Sequence, residues 1–297
     1  MCEGGRRLSV VGRRREMEVR AALLSVDHLH LPKPGRCGTP SSSWFAAEGR
    51  RPTTKLSKIS RSHRAVAPTA KTRAVVLLSG GMDSCVCAAL AARDHDAAAV
   101  HVSYGQRTEE RERRSFSAIC DRLQLRERLV VRNEALRAIG GSALTDARIA
   151  VPDAAPEIGH NIPVTYVPFR NAHFLAVAVS WAEVLGADMV YIGAVQQDSS
   201  GYPDCRPEYY QAFNQVVRAG TREGRIAVVT PLIGLRKAEI VSLGLELGAP
   251  FDLTWSCYTR EDAACGVCES CVLRLRAFAA AGASDPIAYA PHAVAHS

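Results

Sequence analysis

The apolar run Val75-Val76-Leu77-Leu78 is followed by Ser79-Gly80-Gly81-Met82-Asp83-Ser84 and then by an alanine- and leucine-rich segment. An unbroken apolar run bounded by a turn reads as a buried strand of a parallel sheet, and Cys85–Arg93 reads as the helix that follows it. The same succession repeats along the chain. Ala97–Ser103 alternates around Val100 and Val102 as a second strand, Glu109–Leu123 is a charged amphipathic helix, and Arg128–Val131 is a short third strand. A helix from about Ala172 to Leu185 ends at Gly186, the residue type that most easily takes the left-handed C-cap. Met189–Gly193 is the fourth strand, Glu208–Ala219 a helix, Ile226–Thr230 the fifth strand, and Lys237–Leu247 a helix closed by Gly248. This alternation predicts an α/β fold, a parallel twisted sheet with helices on both faces. Between Asn133 and Val167 the pattern lapses into a loop with Gly140-Gly141, Pro152, Pro156 and Pro163. An irregular stretch of that length inside a compact domain is more often functional than filler.

With 297 residues and 47% apolar positions, the chain can bury one large core with a small appendage. No stretch approaches the ~20 apolar residues of a membrane span. The net charge of +7 hides an asymmetry. Through Arg73 there are 16 Lys and Arg against 5 Asp and Glu, a balance of +11; the remainder holds 21 against 25, a balance of −4. A nucleic-acid footprint would put the basic excess on the folded domain, so direct nucleic-acid binding is not expected. Residues 1–72 show no sustained periodicity and read as a disordered basic leader. Three origins stand open for it: a start placed too far upstream, a functional basic tail, or an Arg- and Ser-rich transit peptide. No secretory signal is recognisable, so the expected compartment is the reducing cytoplasm, and the ten cysteines are not read as a disulfide framework.

Two clusters carry chemistry. A glycine turn between strand and helix points several backbone N–H groups at one place, and the helix N-terminus adds positive partial charge. That is an anion site of phosphate or pyrophosphate size. Gly80 and Gly81 allow close backbone approach, Ser79 and Ser84 offer hydroxyls, and Asp83 can cap the helix or reach a phosphate-bound Mg²⁺. The turn lacks the Gly-Lys-Ser/Thr of a Walker loop and the third glycine of the dinucleotide fingerprint. Further on, Cys257, Cys265, Cys268 and Cys271 fall within fifteen residues, the last three as two overlapping C-x-x-C pairs. Four thiolates at that spacing can converge on one tetrahedral Zn²⁺ with no open position, which makes the metal structural. An iron–sulfur cluster or a redox pair is the competing reading of the same spacing.

The Ser79–Ser84 turn resembles the PP-loop of the ATP pyrophosphatases, which implies cleavage of ATP between its α- and β-phosphates. With the cysteine cluster added, the chain from about Arg73 to Phe278 closely resembles the 7-cyano-7-deazaguanine synthases, PP-loop ligases of queuosine biosynthesis. The residues that carry this are Tyr104-Gly105-Gln106-Arg107, Ser142-Ala143-Leu144-Thr145, Val167-Pro168-Phe169-Arg170-Asn171, Asp198-Ser199-Ser200-Gly201-Tyr202-Pro203-Asp204-Cys205-Arg206, Thr230-Pro231-Leu232 and Lys237-Ala238-Glu239. Gln196-Gln197 stands where relatives usually carry a glutamate, and Thr108 where histidine is common. The resemblance implies ATP contacts along Leu78, Ser79, Gly80, Gly81, Met82, Asp83, Ser84, Cys85, Val86, Cys87 and Ala88. It further implies cationic clamps at Arg170 and Lys237 beside Asp83, and substrate contacts at Asp198, Tyr202, Asp204 and Arg206. The implied partners are 7-carboxy-7-deazaguanine, ammonia and ATP with Mg²⁺, one Zn²⁺ per chain, and a homodimer.

The expected domains are the leader (1–72), a PP-loop ATP-binding α/β domain (73–250), a small zinc lobe (251–280) and a tail (281–297). Two other classes compete. A PP-loop tRNA thiolation enzyme would share the turn and could hold RNA with a zinc ribbon, but it predicts a basic folded domain. A zinc-knuckle regulator would have no use for an intact Ser79–Ser84 turn.

Overall fold

A computed structural model of the chain gives the fold of residues 71–154, 162–197 and 201–291. The expected leader up to residue 70 and the candidate Asp198 lie outside the described residues. Strand β1 (Arg73–Leu77) leads through the glycine turn into α1 (Met82–Asp94); β2 (Asp96–Ser103), α2 (Glu109–Arg122) and β3 (Arg128–Arg132) follow. The long loop opens with a short helix, α3 (Glu134–Ile139), which the sequence pattern missed; six residues give too little periodicity to register. Then come α4 (Arg170–Leu185), β4 (Met189–Ile192), α5 (Pro207–Gly220), β5 (Ala227–Val229), α6 (Lys237–Leu247) and α7 (Glu269–Ala280), with single 3₁₀ turns at Pro203–Cys205 and Phe251–Leu253.

All five strands are parallel, in the order β3-β2-β1-β4-β5. Leu77 pairs with Val100 on one side and Ile192 on the other. Because side chains alternate along a strand, Val75, Leu77, Val100, Val102, Val190, Ile192 and Val228 share one face, where they meet Leu175, Ala178, Val179 and Ala182 of α4 and Tyr210 and Val217 of α5. The opposite face is covered by α1 and α2, and α6 packs on α1. There His101 packs on Phe116 of α2, and the Tyr191 hydroxyl meets His95 Nε2 beyond the end of α1 at 2.8 Å. This is the doubly wound arrangement that the β–α alternation predicts. The chain order reverses between β1 and β4, so their carboxyl ends open the crevice where such sheets bind ligands.

From Lys71 onward the chain forms one compact unit, which includes the cysteine-bearing segment. Helix α7 packs on α6. Residues 281–291, the described part of the segment expected as a tail, are tied to the rest of this unit. Asp285 forms a two-pronged ion pair with Arg274 (2.7 and 2.8 Å), and the two side chains are only 4% and 1% exposed. Arg274 also donates to Thr254 Oγ1 at 2.7 Å, and the Tyr289 hydroxyl donates to Asp285 at 2.6 Å. No helix among the described residues is long and apolar enough to cross a membrane.

Candidate active site

The turn after β1 is held by its own serines. Ser79 Oγ accepts from the Gly81 N–H at 3.2 Å and lies 3.0 Å from Ser84 Oγ, which itself donates to the Gly81 carbonyl. Gly80 has φ +93°, and a Cβ there would lie 2.7 Å from the Glu112 carbonyl oxygen of α2. Only glycine satisfies both conditions. Gly193, just past β4, does a similar service from the other side of the crevice. A Cβ on it would sit 2.9 Å from Asp83 C, Asp83 O and Ser84 N, so the end of β4 touches the backbone of the first turn of α1. The Trp255 N–H closes the ring by donating to the Gly80 carbonyl at 2.9 Å.

A cavity of about 280 Å³ opens over this turn. Of the expected ATP contacts, Leu78, Ser79, Gly81, Met82, Asp83 and Ser84 line it. Cys85, Val86, Cys87 and Ala88 do not; they are fully buried along α1. Burial pushes the Cys85 thiol up to about 12, as befits a packing residue. Lys237, at the start of α6, donates from Nζ to Asp83 Oδ2 at 2.5 Å, joining positions 154 residues apart. Asp83 Oδ1 is buried without a hydrogen-bond partner.

Arg170 opens α4 on the opposite wall. Its guanidinium is framed by the rings of Phe174 (5.6 Å), Tyr104 (5.8 Å) and Tyr202 (5.8 Å), and Nη1 donates to the Tyr104 hydroxyl at 3.3 Å. Burial works against its charge, but Tyr104, Tyr202 and Asp204 around it more than offset this and hold the guanidinium firmly charged. The same burial pushes the Tyr104 phenol up to about 12.

The Tyr202–Arg206 segment divides. Tyr202 lines the cavity and shares a 3.0 Å hydrogen bond with Thr165. Asp204 is buried behind it: Oδ2 accepts from the Asn171 N–H at 3.0 Å, and its carbonyl accepts from Asn171 Nδ2 and the Tyr210 hydroxyl. It therefore fixes the first turn of α4, next to Arg170, and does not line the cavity. Arg206 caps the start of α5, exposed and away from the cavity walls. The resemblance implies one role for all three, and local sequence does not tell which side of a loop faces in.

The structure adds residues that sequence reasoning passed over. Glu112 of α2 lines the cavity, with Oε2 accepting from Gln106 Nε2 at 2.9 Å and Oε1 from Thr108 Oγ1 at 3.0 Å. In the sequence it disappears into the charge run Glu109–Arg114. Its spacing from buried Phe116 and Ile119, four and seven positions on, was the available signal that it faces inward. Trp255 and Tyr258 also line the cavity, and Arg111 lies over the Trp255 ring at 4.5 Å.

The four cysteines converge. Their sulfurs all lie within 4.8 Å of one another, and Cys265 Sγ is 3.9 Å from Cys271 Sγ. A tetrahedron with metal–sulfur bonds of ~2.3 Å has edges of about 3.8 Å. Backbone N–H groups of Thr259 and Cys265 donate to Cys257 Sγ, and that of Cys268 to Cys265 Sγ, which suits thiolates. The Cys257 thiol is held well below its ordinary range by hydrogen bonds from Cys268 and Cys271. Gly266 has φ +75° at the knuckle between ligands. The cluster fits a metal ion.

The comparisons with known proteins agree with this assembly. The profile described as "Queuosine biosynthesis protein QueC" matches residues 73–282. A Koribacter versatilis protein named 7-cyano-7-deazaguanine synthase is 70% identical over 227 residues, covering 75% of this chain and 96% of that protein. Proteins of the same name from Acidobacterium capsulatum and Chlorobaculum tepidum are 66% and 58% identical, each alignment covering 73% of this chain and 96% of the relative. The match spans β1 through α7, taking in the glycine turn, Arg170, Lys237 and the cysteine cluster, and on that extent the chain belongs to the QueC family of queuosine biosynthesis proteins.

Proposed function

We propose that the chain is a 7-cyano-7-deazaguanine synthase, converting 7-carboxy-7-deazaguanine, ammonia and ATP into the nitrile, AMP and pyrophosphate. The observation that carries this is the facing of the lysine-free glycine turn and its Asp83–Lys237 pair by the ring-framed Arg170 across one cleft. The names of the relatives support the substrate.

The chemistry explains why no side-chain nucleophile is called for. A carboxylate repels ammonia until its oxygen attacks the α-phosphorus of ATP; pyrophosphate leaves and an acyl adenylate remains. Ammonia forms the C–N bond, AMP departs, and the amide results. The amide oxygen then attacks a second ATP in the same site, and loss of AMP leaves the nitrile. The protein supplies position and charge stabilisation. The N–H groups of the turn and the Ser79 and Ser84 hydroxyls cradle pyrophosphate, and Lys237 and Arg170 offset charge at the phosphates. Tyr202, which lines the cavity, would supply an aromatic contact to the heterocycle. Mg²⁺ would be held by Asp83, whose Oδ1 is free to bind, together with ATP phosphates, and would neutralise phosphate charge. The cysteine cluster would hold one Zn²⁺ with a structural role, at the knuckle before α7 to which the loop at 151–154 is tied: Ala154 N–H donates to the Val267 carbonyl at 2.8 Å.

The test counts products. From the acid, two AMP and two pyrophosphate appear per nitrile; from the 7-amide, one of each. Formation of ADP and phosphate, or a single AMP per nitrile from the acid, would refute the proposal.

A further inference from the structure

The nitrogen chemistry of this reaction releases protons that the groups assigned so far do not collect. On attacking the acyl adenylate, ammonia becomes a positively charged nitrogen that must lose a proton as AMP leaves. In the second stage the O-adenylated amide loses N–H protons. The final N–H bond breaks, its electron pair becomes the third C–N bond, and the C–O pair departs with AMP. An acceptor is needed beside the reacting carbon. Lys237 is committed to Asp83, and Arg170 remains a cation.

We propose that Glu112 is the proton acceptor for amide and nitrile formation, set in the cleft wall between the glycine turn and Arg170. The inference rests on the function proposed above.

Four observations carry it. Glu112 and Asp83 are the carboxylates among the described residues lining the cleft, and Glu112 makes no ion pair there. Its helix is fixed against the turn: a Cβ at Gly80 would lie 2.7 Å from the Glu112 carbonyl oxygen. Its carboxylate is oriented by two neutral donors, and Gln106 is itself oriented because its Oε1 accepts from the Tyr104 N–H at 2.9 Å. The Thr108 hydroxyl has a second acceptor 3.3 Å away in the Cys257 carbonyl, so its single hydrogen can turn aside when Glu112 takes up a proton.

Electrostatics supports the same role. Burial pushes the Glu112 carboxyl up to about 7, against the opposing effect of the Gln106 and Thr108 hydrogen bonds and the Arg170 charge. The groups facing it are Arg170 from α4, Tyr104 beyond β2 and Glu109 on its own helix. Elsewhere in the cleft the charges are the Asp83–Lys237 pair, Arg107 and Arg274. Arg107 is tied to the carbonyls of Ala143 and Ile149, and Arg274 to Asp285. A base with a pKa near the working pH is well matched to proton transfer.

The experiment uses the 7-amide and ATP, so that ammonium ionisation does not enter the pH profile. In the wild type, nitrile formation rises with pH through about 7 and levels off, because the carboxylate must be unprotonated to accept. Glu112→Gln should lower nitrile formation by about 10²-fold or more and abolish that limb. Acid-dependent ATP–pyrophosphate exchange without ammonia should fall by less than about tenfold, since adenylation needs no such base. Thr108→Val removes a hydrogen bond to the charged form, so it should move the limb to higher pH; this variant decides the matter if Glu112→Gln does not fold. A Glu112→Gln enzyme with the wild-type limb, an equal loss of exchange and nitrile formation, or an unmoved limb in Thr108→Val would overturn the inference. A wild type lacking both exchange and nitrile formation would instead overturn the function itself.

Discussion

Gly193→Ala is the substitution whose effect follows most directly from the geometry. The new methyl would meet three backbone atoms of α1, Asp83 C, Asp83 O and Ser84 N, each at 2.9 Å. Comfortable contact between carbon atoms begins at about 3.5 Å, so the end of β4 and the first turn of α1 must separate by roughly half an ångström. Backbone atoms in a hydrogen-bonded helix cannot rotate out of the way. Overpacking of this kind costs about 1–3 kcal/mol. For a domain of this size that is a Tm lowered by about 2–12 °C, at roughly 2–4 °C per kcal/mol. The functional loss should be larger than the stability loss suggests, because the displaced turn is the one proposed to cradle pyrophosphate. A displacement of ~1 Å can cost about 10²-fold in rate, so half that predicts a fall of about tenfold in kcat/KM for ATP. Thermal denaturation and steady-state kinetics with varied ATP measure both, and Gly234→Ala is the control, since nothing lies within 4 Å of a Cβ there. A Gly193→Ala protein matching Gly234→Ala in Tm and in kcat/KM would show that β4 does not seat the turn.

Asp285→Ala leaves the Arg274 guanidinium buried without its carboxylate, a loss of about 3–5 kcal/mol. Denaturation should show Tm falling by roughly 6–20 °C, and a change under about 3 °C would mean that the C-terminal segment contributes little to the fold. Purified protein should contain about one equivalent of zinc, by the four-sulfur geometry. Cys268→Ala should lower metal content and melting temperature before it alters catalytic constants; iron absorbance in the purified protein would contradict the zinc assignment.

How much of this was legible beforehand follows from the kind of information each feature uses. The five strands, the main helices and the glycine turn are written in local patterning: apolar runs, helical periodicity and terminal glycines. The four-cysteine cluster is likewise local, because two overlapping C-x-x-C pairs already place three sulfurs close together. Family resemblance added Arg170 and Lys237, which the charge pattern alone would have left as surface residues. Element ends differ by a residue or a few, and α7 has no distinct helical signal because its first turn carries Cys271, whose spacing is that of the cysteine cluster.

What only the tertiary structure decided is which side chains meet. Asp83 and Lys237 come together because β4 lies beside β1 while β2 lies on its other side, a strand order that no local pattern states. Gly193 matters because the end of β4 touches α1, Glu112 because one face of α2 closes the cleft, and Asp285 because its partner lies across a turn on α7. Asp204 and Arg206 have similar sequence surroundings, yet one is buried beneath α4 and the other is exposed. The physical reason is common to all of them. Periodicity encodes which face of an element is apolar, whereas the partner of a polar group buried within that face is fixed only when elements distant in sequence pack together.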